Sequence, residues 1–370
     1  MSVNYRKLGD YIQPVDIRNS DLQVSHLLGL SIEKCFIESI ANTIGTDFRP
    51  YKIVKKGQFA YGPVTSRNGD KITIALLKEV DVCIISSSYS VFEIIDTSKL
   101  LPDYLMLWFS RPEFDRYARY KSHGSVREIF DWDEMCRVEL PIPDIKEQKK
   151  IVNTYNAITK RIQLKQKINE NLEKTAQTLF FKYIVNSNKY EFTEALDDNI
   201  EYTNGLPLQN FRPKNDDNFY PVLKIRELTQ GFCDLKSEHC TQTLPSNAII
   251  SQRDLVFSWS GTIHISFWYD VKSGLNQHLF KVTSSKYPLW FCYLWTNYYL
   301  IEFNRIAKNK GTTFGHIKRE DLHNSKIKIC DFDFYSKIFN PLLEQKITNG
   351  IEIRHLSKLQ QFLISRISGK

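Results

Sequence analysis

Residues 141–150 read Pro-Ile-Pro-Asp-Ile-Lys-Glu-Gln-Lys-Lys, and they open a segment that continues to Ile184. The two prolines end whatever structure precedes them, and Asp144 with Glu147 three residues later forms a variant of the capping box that starts helices. Neither glycine nor proline occurs from there to Tyr183. The segment therefore predicts one helix of about 40 residues, which is roughly 60 Å long at about 1.5 Å per residue.

Apolar residues recur at steps of three and four along this segment, which is typical of one stripe of a helix. The stripe consists of Ile151, Tyr155, Ile158 and Ile162, and then of Ile168, Leu172, Ala176, Leu179 and Tyr183. The longer step from Ile162 to Ile168 predicts a stutter in the packing. A helix of this length suits a spacer or a coiled coil, although a long core helix of one large domain would show the same pattern.

The composition is that of a folded protein with a mild excess of basic residues. The chain has 370 residues, of which 42% are hydrophobic and 13% aromatic, so two domains with their own cores are expected. The net charge is +8 and the pI is about 8.9. This balance favours a nucleic-acid partner, but many unrelated proteins share it.

The N-terminus and the cysteines predict a cytoplasmic protein. Residues 1–7 lack the apolar core of a signal peptide, and no apolar run approaches the ~18 residues of a membrane span. The seven cysteines are scattered, and none forms a Cys-x-x-Cys pair. A dispersed, odd set of this kind is typical of free thiols in a reducing compartment.

The two halves of the sequence match at an offset of 187 residues. Both halves carry an aromatic helix, a basic Gly-Ser/Thr loop, a short acidic turn, an extended segment and a long helix. The matching blocks are 104–108 with 291–295, 124–126 with 311–313, and 140–142 with 327–329. At the same offset Asp133 falls one residue away from Asp321. Four blocks in register at one offset predict two copies of one unit, each a globular domain followed by a long helix.

The second long helix is predicted from about Tyr335 to Ile367, where apolar residues again recur mostly at steps of three and four. Gly350 weakens its middle by up to ~1 kcal/mol relative to alanine. Two helices of similar length can bury their stripes on each other, and the order domain, helix, domain, helix makes them antiparallel. The predicted fold class is α+β: two similar mixed α/β domains, separated by two long helices packed as an antiparallel coiled coil, with pseudo-twofold symmetry.

The predicted boundaries follow from the repeat and from the two long helices. They are 1–140 for the first domain, 141–187 for the first long helix, 188–331 for the second domain and 332–370 for the second long helix.

The sequence resembles a known family, the specificity subunit of type I restriction–modification systems. The resemblance covers nearly the whole chain, and the 187-residue repeat adds to it. The second helix departs from the family pattern, because Ile329-Cys330-Asp331-Phe332 stands where a proline-rich start is usual. The segments that carry the likeness are 140–152 with 167–173, 254–262 with 275–278, 363–370 and 51–61.

The resemblance implies a subunit without catalysis of its own, whose two globular units are target-recognition domains that each read one half of a bipartite site in double-stranded DNA. It implies that the paired helices set the gap between the halves and dock two methyltransferase subunits. Those subunits would use S-adenosylmethionine to methylate adenine, and ATP-driven restriction and translocase subunits would join for cleavage. S-adenosylmethionine, ATP and Mg are thus expected on partner subunits, and no cofactor is expected in this chain.

Duplex recognition needs cationic groups for phosphates and fork-like polar groups for base edges, and such groups cluster in the predicted turns. Each turn could instead be a solvated surface turn, Asn276 and His278 could hold the fold through buried hydrogen bonds, and Trp259 could simply pack in the core. The two Gly-Ser/Thr loops at matching positions favour DNA binding. The candidate DNA-binding residues are Ser66, Arg67, Asn68, Lys121, Ser125, Arg127, Trp259, Ser260, Asn276, Gln277, His278, Lys308, Lys310, Thr312, Thr313 and His316.

The candidate subunit interface lies on the first long helix. Its residues are Glu147, Gln148, Lys149, Asn169 and Asn171. Gln148 and Lys149 lie in the first turn, where they could touch a methyltransferase or only face solvent.

Enzymatic motifs are absent or misplaced. A methyltransferase needs a Gly-rich cofactor loop and an Asn-Pro-Pro-aromatic motif, whereas residues 340–343 read Asn-Pro-Leu-Leu. His239-Cys240 with Cys233 lacks a zinc partner set, no GxGxxG or P-loop occurs, and no metal site is expected. Two alternatives of other classes remain: a stand-alone DNA-binding regulator and a non-catalytic protein scaffold. Neither predicts dependence on a methyltransferase partner.

Overall fold

The computed structural model describes residues 5–40, 44–66, 68–124, 127–214, 218–309 and 315–367. The chain forms two compact units. Unit 1 comprises residues 1–160 and 358–370, and unit 2 comprises residues 161–357.

The described part of unit 1 is a mixed α/β structure. Its strands are β1 (Tyr5–Lys7), β2 (Ile12–Val15), β3 (Leu28–Leu30), β4 (Phe36–Glu38), β5 (Lys52–Lys55), β6 (Phe59–Tyr61), β7 (Ile74–Leu76), β8 (Val82–Ile85), β9 (Ser90–Ile94) and β10 (Glu139–Pro141). Its helices are α1 (Pro102–Phe109), α2 (Pro112–Lys121), α3 (Trp132–Arg137) and the start of α4 (Ile145–Phe180).

Unit 2 has the rest of α4, which a π-helical turn (Phe181–Val185) continues. Its strands are β11 (Phe192–Ala195), β12 (Glu201–Asn204), β13 (Phe219–Leu223), β14 (His239–Thr241), β15 (Ile249–Ile250), β16 (Leu255–Ser258), β17 (His264–Phe267), β18 (Ser273–Leu275), β19 (Leu279–Thr283) and β20 (Lys326–Lys328). Its helices are α5 (Ile225–Gln230), α6 (Leu289–Tyr298), α7 (Leu300–Asn309), α8 (Arg319–Asn324) and most of α9 (Phe332–Arg366).

The main sheets of the two units have the same topology. The strand order is β2-β9-β6-β7 in unit 1 and β12-β19-β16-β17 in unit 2, and all neighbouring pairs are antiparallel. Each unit also pairs its first strand with the strand that directly precedes a long helix: β1 pairs with β10 before α4, and β11 pairs with β20 before α9. The predicted repeat is therefore a repeat of fold, and the predicted fold class is confirmed.

The units differ in their smaller sheets. Unit 1 has the pairs β3-β4 and β5-β8, whereas unit 2 has a four-stranded sheet in the order β14-β13-β18-β15, with β13 and β18 parallel. The sequence match is correspondingly absent from these segments. Within the residues that the structure describes, no helix is long and apolar enough to cross a membrane.

Aromatic residues of the helices that follow each main sheet form the cores. Trp108 of α1 and Trp295 of α6 are both buried, as their helical spacing predicts. The unit 1 core includes Val152 of α4 and Ile367 after α9. The unit 2 core includes Phe339 of α9, whose ring stacks on the indole ring of Trp290 at a centroid distance of 4.7 Å. The long helices are thus part of both cores. Ile158, Ile162 and Ala176 of the predicted stripe are buried, whereas Ile168 and Tyr183 are exposed.

The two long helices pack antiparallel, because contacts advance along α4 as they retreat along α9. In unit 1 the amide of Gln360 donates a hydrogen bond to Thr159 Oγ1 (2.6 Å). In unit 2 the cross-helix hydrogen bonds are Arg161 Nε to Glu352 Oε1 (2.7 Å), Lys165 Nζ to Asn349 Oδ1 (2.9 Å) and Asn169 Nδ2 to the Lys346 carbonyl (3.1 Å).

The predicted stutter coincides with a polar layer inside the helix pair. Asn349 is only 1% exposed, and its amide donates to Asn169 Oδ1 (2.9 Å). The side-chain Oδ1 of Asn349 accepts hydrogen bonds from Lys165 Nζ and from Gln345 Nε2, at 2.9 Å each. A buried polar group with complete partners penalises any shifted pairing, so this layer fixes the register of α4 against α9.

Gly350 provides the first testable prediction, because Tyr269 packs directly against it. A Cβ atom built there would lie 2.6 Å from Cδ1 and 2.7 Å from Cζ of the Tyr269 ring. We expect Gly350→Ala to lower the free energy of unfolding by about 1–3 kcal/mol through overpacking. This loss outweighs the gain of about 1 kcal/mol in helix propensity.

Urea denaturation would measure the effect of Gly350→Ala. The matched control is Thr348→Ala, which changes an exposed residue of the same helix and should stay within about 0.5 kcal/mol. A more stable Gly350→Ala chain would mean that the Tyr269 ring can move aside without cost.

Candidate functional site

In unit 2 the turn after β16 lies against the loop before α8. The amide of Ile317 donates to the Trp259 carbonyl (3.0 Å), and the amide of Gly261 donates to the Gly315 carbonyl (2.9 Å). Ser260 and His316 form the antiparallel bridge between these two bonds. Two segments that are over 50 residues apart in the sequence are therefore held side by side.

Unit 1 builds the same connection between the turn after β6 and the loop before α3. The amide of Phe130 donates to the Pro63 carbonyl (2.8 Å), and the amide of Thr65 donates to the Glu128 carbonyl (2.9 Å). The loop residues of the two units correspond at the 187-residue offset. The recurrence of this pair of backbone bonds gives each unit one composite edge made of a turn and a loop.

His278 joins the composite edge of unit 2. Its Nδ1 lies 3.2 Å from Ser260 Oγ, and its ring centroid lies 5.7 Å from that of Trp259. The Trp259 ring also meets His316 edge-on, with centroids 6.4 Å apart. Four residues that the sequence analysis singled out separately thus form one cluster. His278 is exposed, Trp259 and His316 are half-buried, and Ser260 is buried.

Asn276 and Gln277 precede this histidine and differ in role. Asn276 is buried, and its Oδ1 accepts a hydrogen bond from the His278 amide (3.2 Å), so its side chain shapes the turn. Gln277 is half-buried, and its Nε2 lies 3.5 Å from His278 Nε2. The structure therefore favours the buried hydrogen-bonding role for Asn276 and leaves Gln277 and His278 as the accessible pair.

In unit 1 the candidate residues lie along the corresponding turn and loop. Ser66 and Arg127 are exposed, and Lys121 is half-buried. Asn68 donates to the Val64 carbonyl (3.1 Å), which stabilises the hairpin turn. A hydrogen bond from Thr65 Oγ1 to Ser122 Oγ (2.8 Å) fixes the turn to the end of α2.

The remaining candidates are Lys308 and five residues outside the described part of the chain. Lys308 is exposed at the end of α7, close in sequence to the composite edge of unit 2. The candidates outside the described residues are Arg67, Ser125, Lys310, Thr312 and Thr313.

Lys318 is an addition that sequence reasoning missed. It is exposed and follows His316 with buried Ile317 between them. This alternation of polar, buried and basic residues directs both neighbours of Ile317 away from the core. The alternation was the signal in the sequence, but three residues are too few to distinguish it from chance.

The predicted subunit-interface residues divide into two groups. Glu147, Lys149 and Asn171 are exposed, whereas Asn169 is engaged in the helix pair described above. Gln148 is 0% exposed: its Oε1 accepts from the Leu101 amide (2.9 Å), and its Nε2 donates to the carbonyls of Lys99 and Pro143, each at 2.8 Å. Burial in unit 1 removes Gln148 from the candidate interface and assigns it to joining α4 to α1.

One group of side chains among the described residues has the composition of a cation site. Oxygen and nitrogen atoms of Asp197, Asp198 and His323 lie within 4.8 Å of one another. His323 Nδ1 already lies 3.0 Å from Asp197 Oδ1, and no residue of the group is buried. This contact between His323 and Asp197 accounts for the proximity of their side chains.

Known proteins resemble the chain in sequence. The family model described as "Type I restriction modification DNA specificity domain" matches residues 45–174 and again residues 192–347. The chain is 23% identical over 305 residues to the type I restriction enzyme MjaIX specificity subunit of Methanocaldococcus jannaschii, covering 74% of this chain and 70% of that protein. It is 27% identical over 136 residues to the HindI specificity subunit of Haemophilus influenzae, covering 36% of this chain and 29% of that protein.

The fold is also similar to a solved structure. The crystal structure of the type I restriction–modification S subunit from M. genitalium superposes with a TM-score of 0.58 at 11% sequence identity. The superposition covers 99% of this chain and 96% of that chain. At this identity the likeness concerns the fold, including its two recurring units.

Proposed function

The chain belongs to the family of type I restriction–modification DNA specificity proteins, and on that premise we propose how its residues recognise DNA. It is the non-catalytic DNA-recognition subunit of a type I restriction–modification complex. The stand-alone regulator and the protein scaffold are not favoured by this membership. The observation that most directly supports DNA recognition is the composite edge of turn and loop that recurs in both units.

Each composite edge reads one half of a bipartite site. In unit 2, Gln277 and His278 supply the polar atoms for base edges, and Trp259 and Ser260 hold the histidine ring in place. A carboxamide matches adenine in the major groove, because it can donate and accept at the same time. Lysines and arginines of the loops contact phosphates, which position the protein without reading sequence. The proposed phosphate contacts are Lys121, Arg127, Lys308, Lys310 and Lys318.

The long helices serve assembly in this proposal. Helices α4 and α9 set the gap between the two half-sites and dock two methyltransferase subunits, with Glu147, Lys149 and Asn171 at the interface. S-adenosylmethionine, ATP and Mg belong to those partners and to the restriction subunits, all in the cytoplasm. Docking on helices leaves both composite edges free for DNA.

Binding-site selection from randomised duplex DNA tests the function. The chain is used alone and with the methyltransferase encoded beside it. We expect a gapped consensus of two short defined halves with a fixed unread spacer, obtained mainly with the partner present. A continuous consensus with the chain alone would instead identify a regulator, and no enrichment from folded protein would leave only the scaffold.

The salt dependence of binding provides the second prediction. Arg127→Ala and Lys310→Ala should each weaken DNA binding and lower the slope of log K against log salt by about 0.9 for each phosphate that the side chain neutralises. The matched control is Arg116→Ala, which removes an exposed arginine that already pairs with Glu113 (3.3 Å). Unchanged affinity and slope for both variants in the assembled complex would refute these two phosphate contacts.

A further inference from the structure

Unit 1 contains a cavity of about 420 Å³ between α1, α2 and β10. Its walls are partly aromatic, from Trp108, Phe114 and Tyr117. The DNA-recognition proposal makes no use of this cavity. Its polar wall includes one cation, Arg111, and two carboxylates, Glu113 and Glu139.

Arg111 is the unusual feature of the cavity wall. The residue is only 5% exposed, and its guanidinium stacks on the Trp108 ring at 4.2 Å from the ring centroid. Within the described residues its Nε is buried without a hydrogen-bond partner, and Glu113 Oε2 lies 3.5 Å from this atom. Burying an N–H donor of a charged group without an acceptor is costly.

Burial has a measurable consequence for this arginine. Desolvation lowers the pKa of Arg111, and the neighbouring Glu113 only partly offsets this effect. The group nevertheless stays charged at neutral pH, because an arginine does not lose its proton in proteins. The cavity wall therefore carries a permanent positive charge, and the Nε of that group has no hydrogen-bond acceptor among the described residues.

Unit 2 has a different side chain at the corresponding position. At the 187-residue offset Trp108 corresponds to Trp295 and Arg111 to Tyr298. Rings of Phe180, Phe192 and Tyr298 surround Trp295 at centroid distances of 4.9, 6.0 and 5.6 Å. At this position unit 2 thus surrounds the indole with aromatic rings, whereas unit 1 stacks Arg111 on it.

We propose that this cavity binds a small ligand with a single carboxylate on a flat apolar body. The planar guanidinium pairs with a carboxylate through two parallel hydrogen bonds. The aromatic walls take the apolar body. Two carboxylates at the wall, Glu113 and Glu139, repel any anion and repel a more highly charged one more strongly, so a monoanionic carboxylate is favoured over a phosphate dianion.

Titration of the full chain with benzoate tests the proposal, with benzamide as the neutral analogue of the same shape. The reporter is the NMR signal of the Trp108 indole N–H, because this buried group has no hydrogen-bond partner among the described residues. We expect a saturable shift with benzoate and binding at least about tenfold weaker with benzamide. Equal binding of the two, no binding of benzoate, or equally tight binding of inorganic phosphate would each overturn the proposal.

Variants locate the binding. Arg111→Gln should weaken benzoate binding at least about tenfold, whereas Arg49→Gln, an exposed arginine of the same unit, should leave it unchanged. Thermal unfolding of both variants shows whether the fold is kept. If Arg111→Gln does not fold, the comparison of benzoate with benzamide on the unaltered chain still decides.

Discussion

Replacing Asp270 with alanine should lower the free energy of unfolding of unit 2 by about 3–5 kcal/mol, because it leaves a buried arginine without its carboxylate partner. Asp270 is 1% exposed, and its Oδ1 lies 2.9 Å from Nε of Arg354, whose side chain is 10% exposed. Its Oδ2 accepts a hydrogen bond from the Cys233 amide (3.1 Å). Removal of the carboxylate leaves both the guanidinium and this amide without their anionic partner.

The position of Arg354 in the fold explains why the effect extends beyond one contact. Arg354 lies on α9, donates to the Cys233 carbonyl (3.3 Å) and stacks on Phe232 at 4.5 Å. Asp270 follows β17, and Cys233 follows α5. One ion pair therefore connects α9 to two loops of unit 2.

Urea denaturation, with hydrogen exchange of the α9 amides, measures this prediction. The control is Glu344→Ala, which breaks the ion pair of Glu344 with Arg253. Those side chains are 54% and 47% exposed, so the change should cost at most about 1 kcal/mol. An apolar double replacement, Asp270→Leu with Arg354→Met, should recover part of the stability. A decrease below about 1 kcal/mol for Asp270→Ala would show that water solvates Arg354 in its place.

Local signals made the long helix predictable from the sequence. Asp144 Oδ1 accepts hydrogen bonds from the amides of Lys146 (2.9 Å) and Glu147 (3.0 Å), so the cap is built from residues adjacent in the chain. The repeat was equally predictable, because the two copies of the unit retain matching residues at one offset in the sequence. These features need no knowledge of distant contacts.

Distant partners account for what the sequence could not predict. Gly350 read as a weak point of a helix, but its partner Tyr269 is over 80 residues away. The sequence predicts Gln148 on the surface of the helix, whereas it is buried in unit 1 and hydrogen-bonded to three backbone groups. The stutter after Ile162 was visible, but the pairing of Asn169 with Asn349 depends on how two helices meet.

The short helices were missed for a different reason. The acidic turns near Asp133 and Asp321 are the helices α3 and α8, each six residues long. Six residues cover less than two turns, so apolar periodicity has no room to appear. Asp131 accepts a hydrogen bond from the Glu134 amide (2.8 Å), a cap that explains the acidic composition.

The candidate site was predictable as a set of polar turns and not as an arrangement. Nothing in the sequence indicates that Ser260 meets His278 and His316, because the three lie on separate segments. The pairing of β16 with β19 places His278 beside Ser260, and the pairing of the turn with the loop adds His316. The same limit explains why Asn276 and Gln277, adjacent in the sequence, differ in accessibility.

Replacing Gln277 and His278 together with alanine should abolish the choice of base in one half of the site and leave the other half intact. Ser260 Oγ lies 3.2 Å from Nδ1 of His278, which leaves Nε2 on the side of Gln277. His278 is the exposed polar side chain of the cluster, and Gln277 beside it is half-buried. A good bidentate contact discriminates bases by about 1–3 kcal/mol, which predicts that discrimination falls roughly 5- to 150-fold at the affected positions.

Binding-site selection with the assembled complex measures this effect, and Gln252→Ala is the matched control. Gln252 is an exposed glutamine of the same unit, and its amide donates to the Tyr269 carbonyl (3.2 Å) outside the cluster. Because each unit folds around its own core, the variant should still select the half-site read by unit 1. Loss of both half-sites would indicate failed assembly. Retention of both would show that residues of unit 2 other than Gln277 and His278 read the bases.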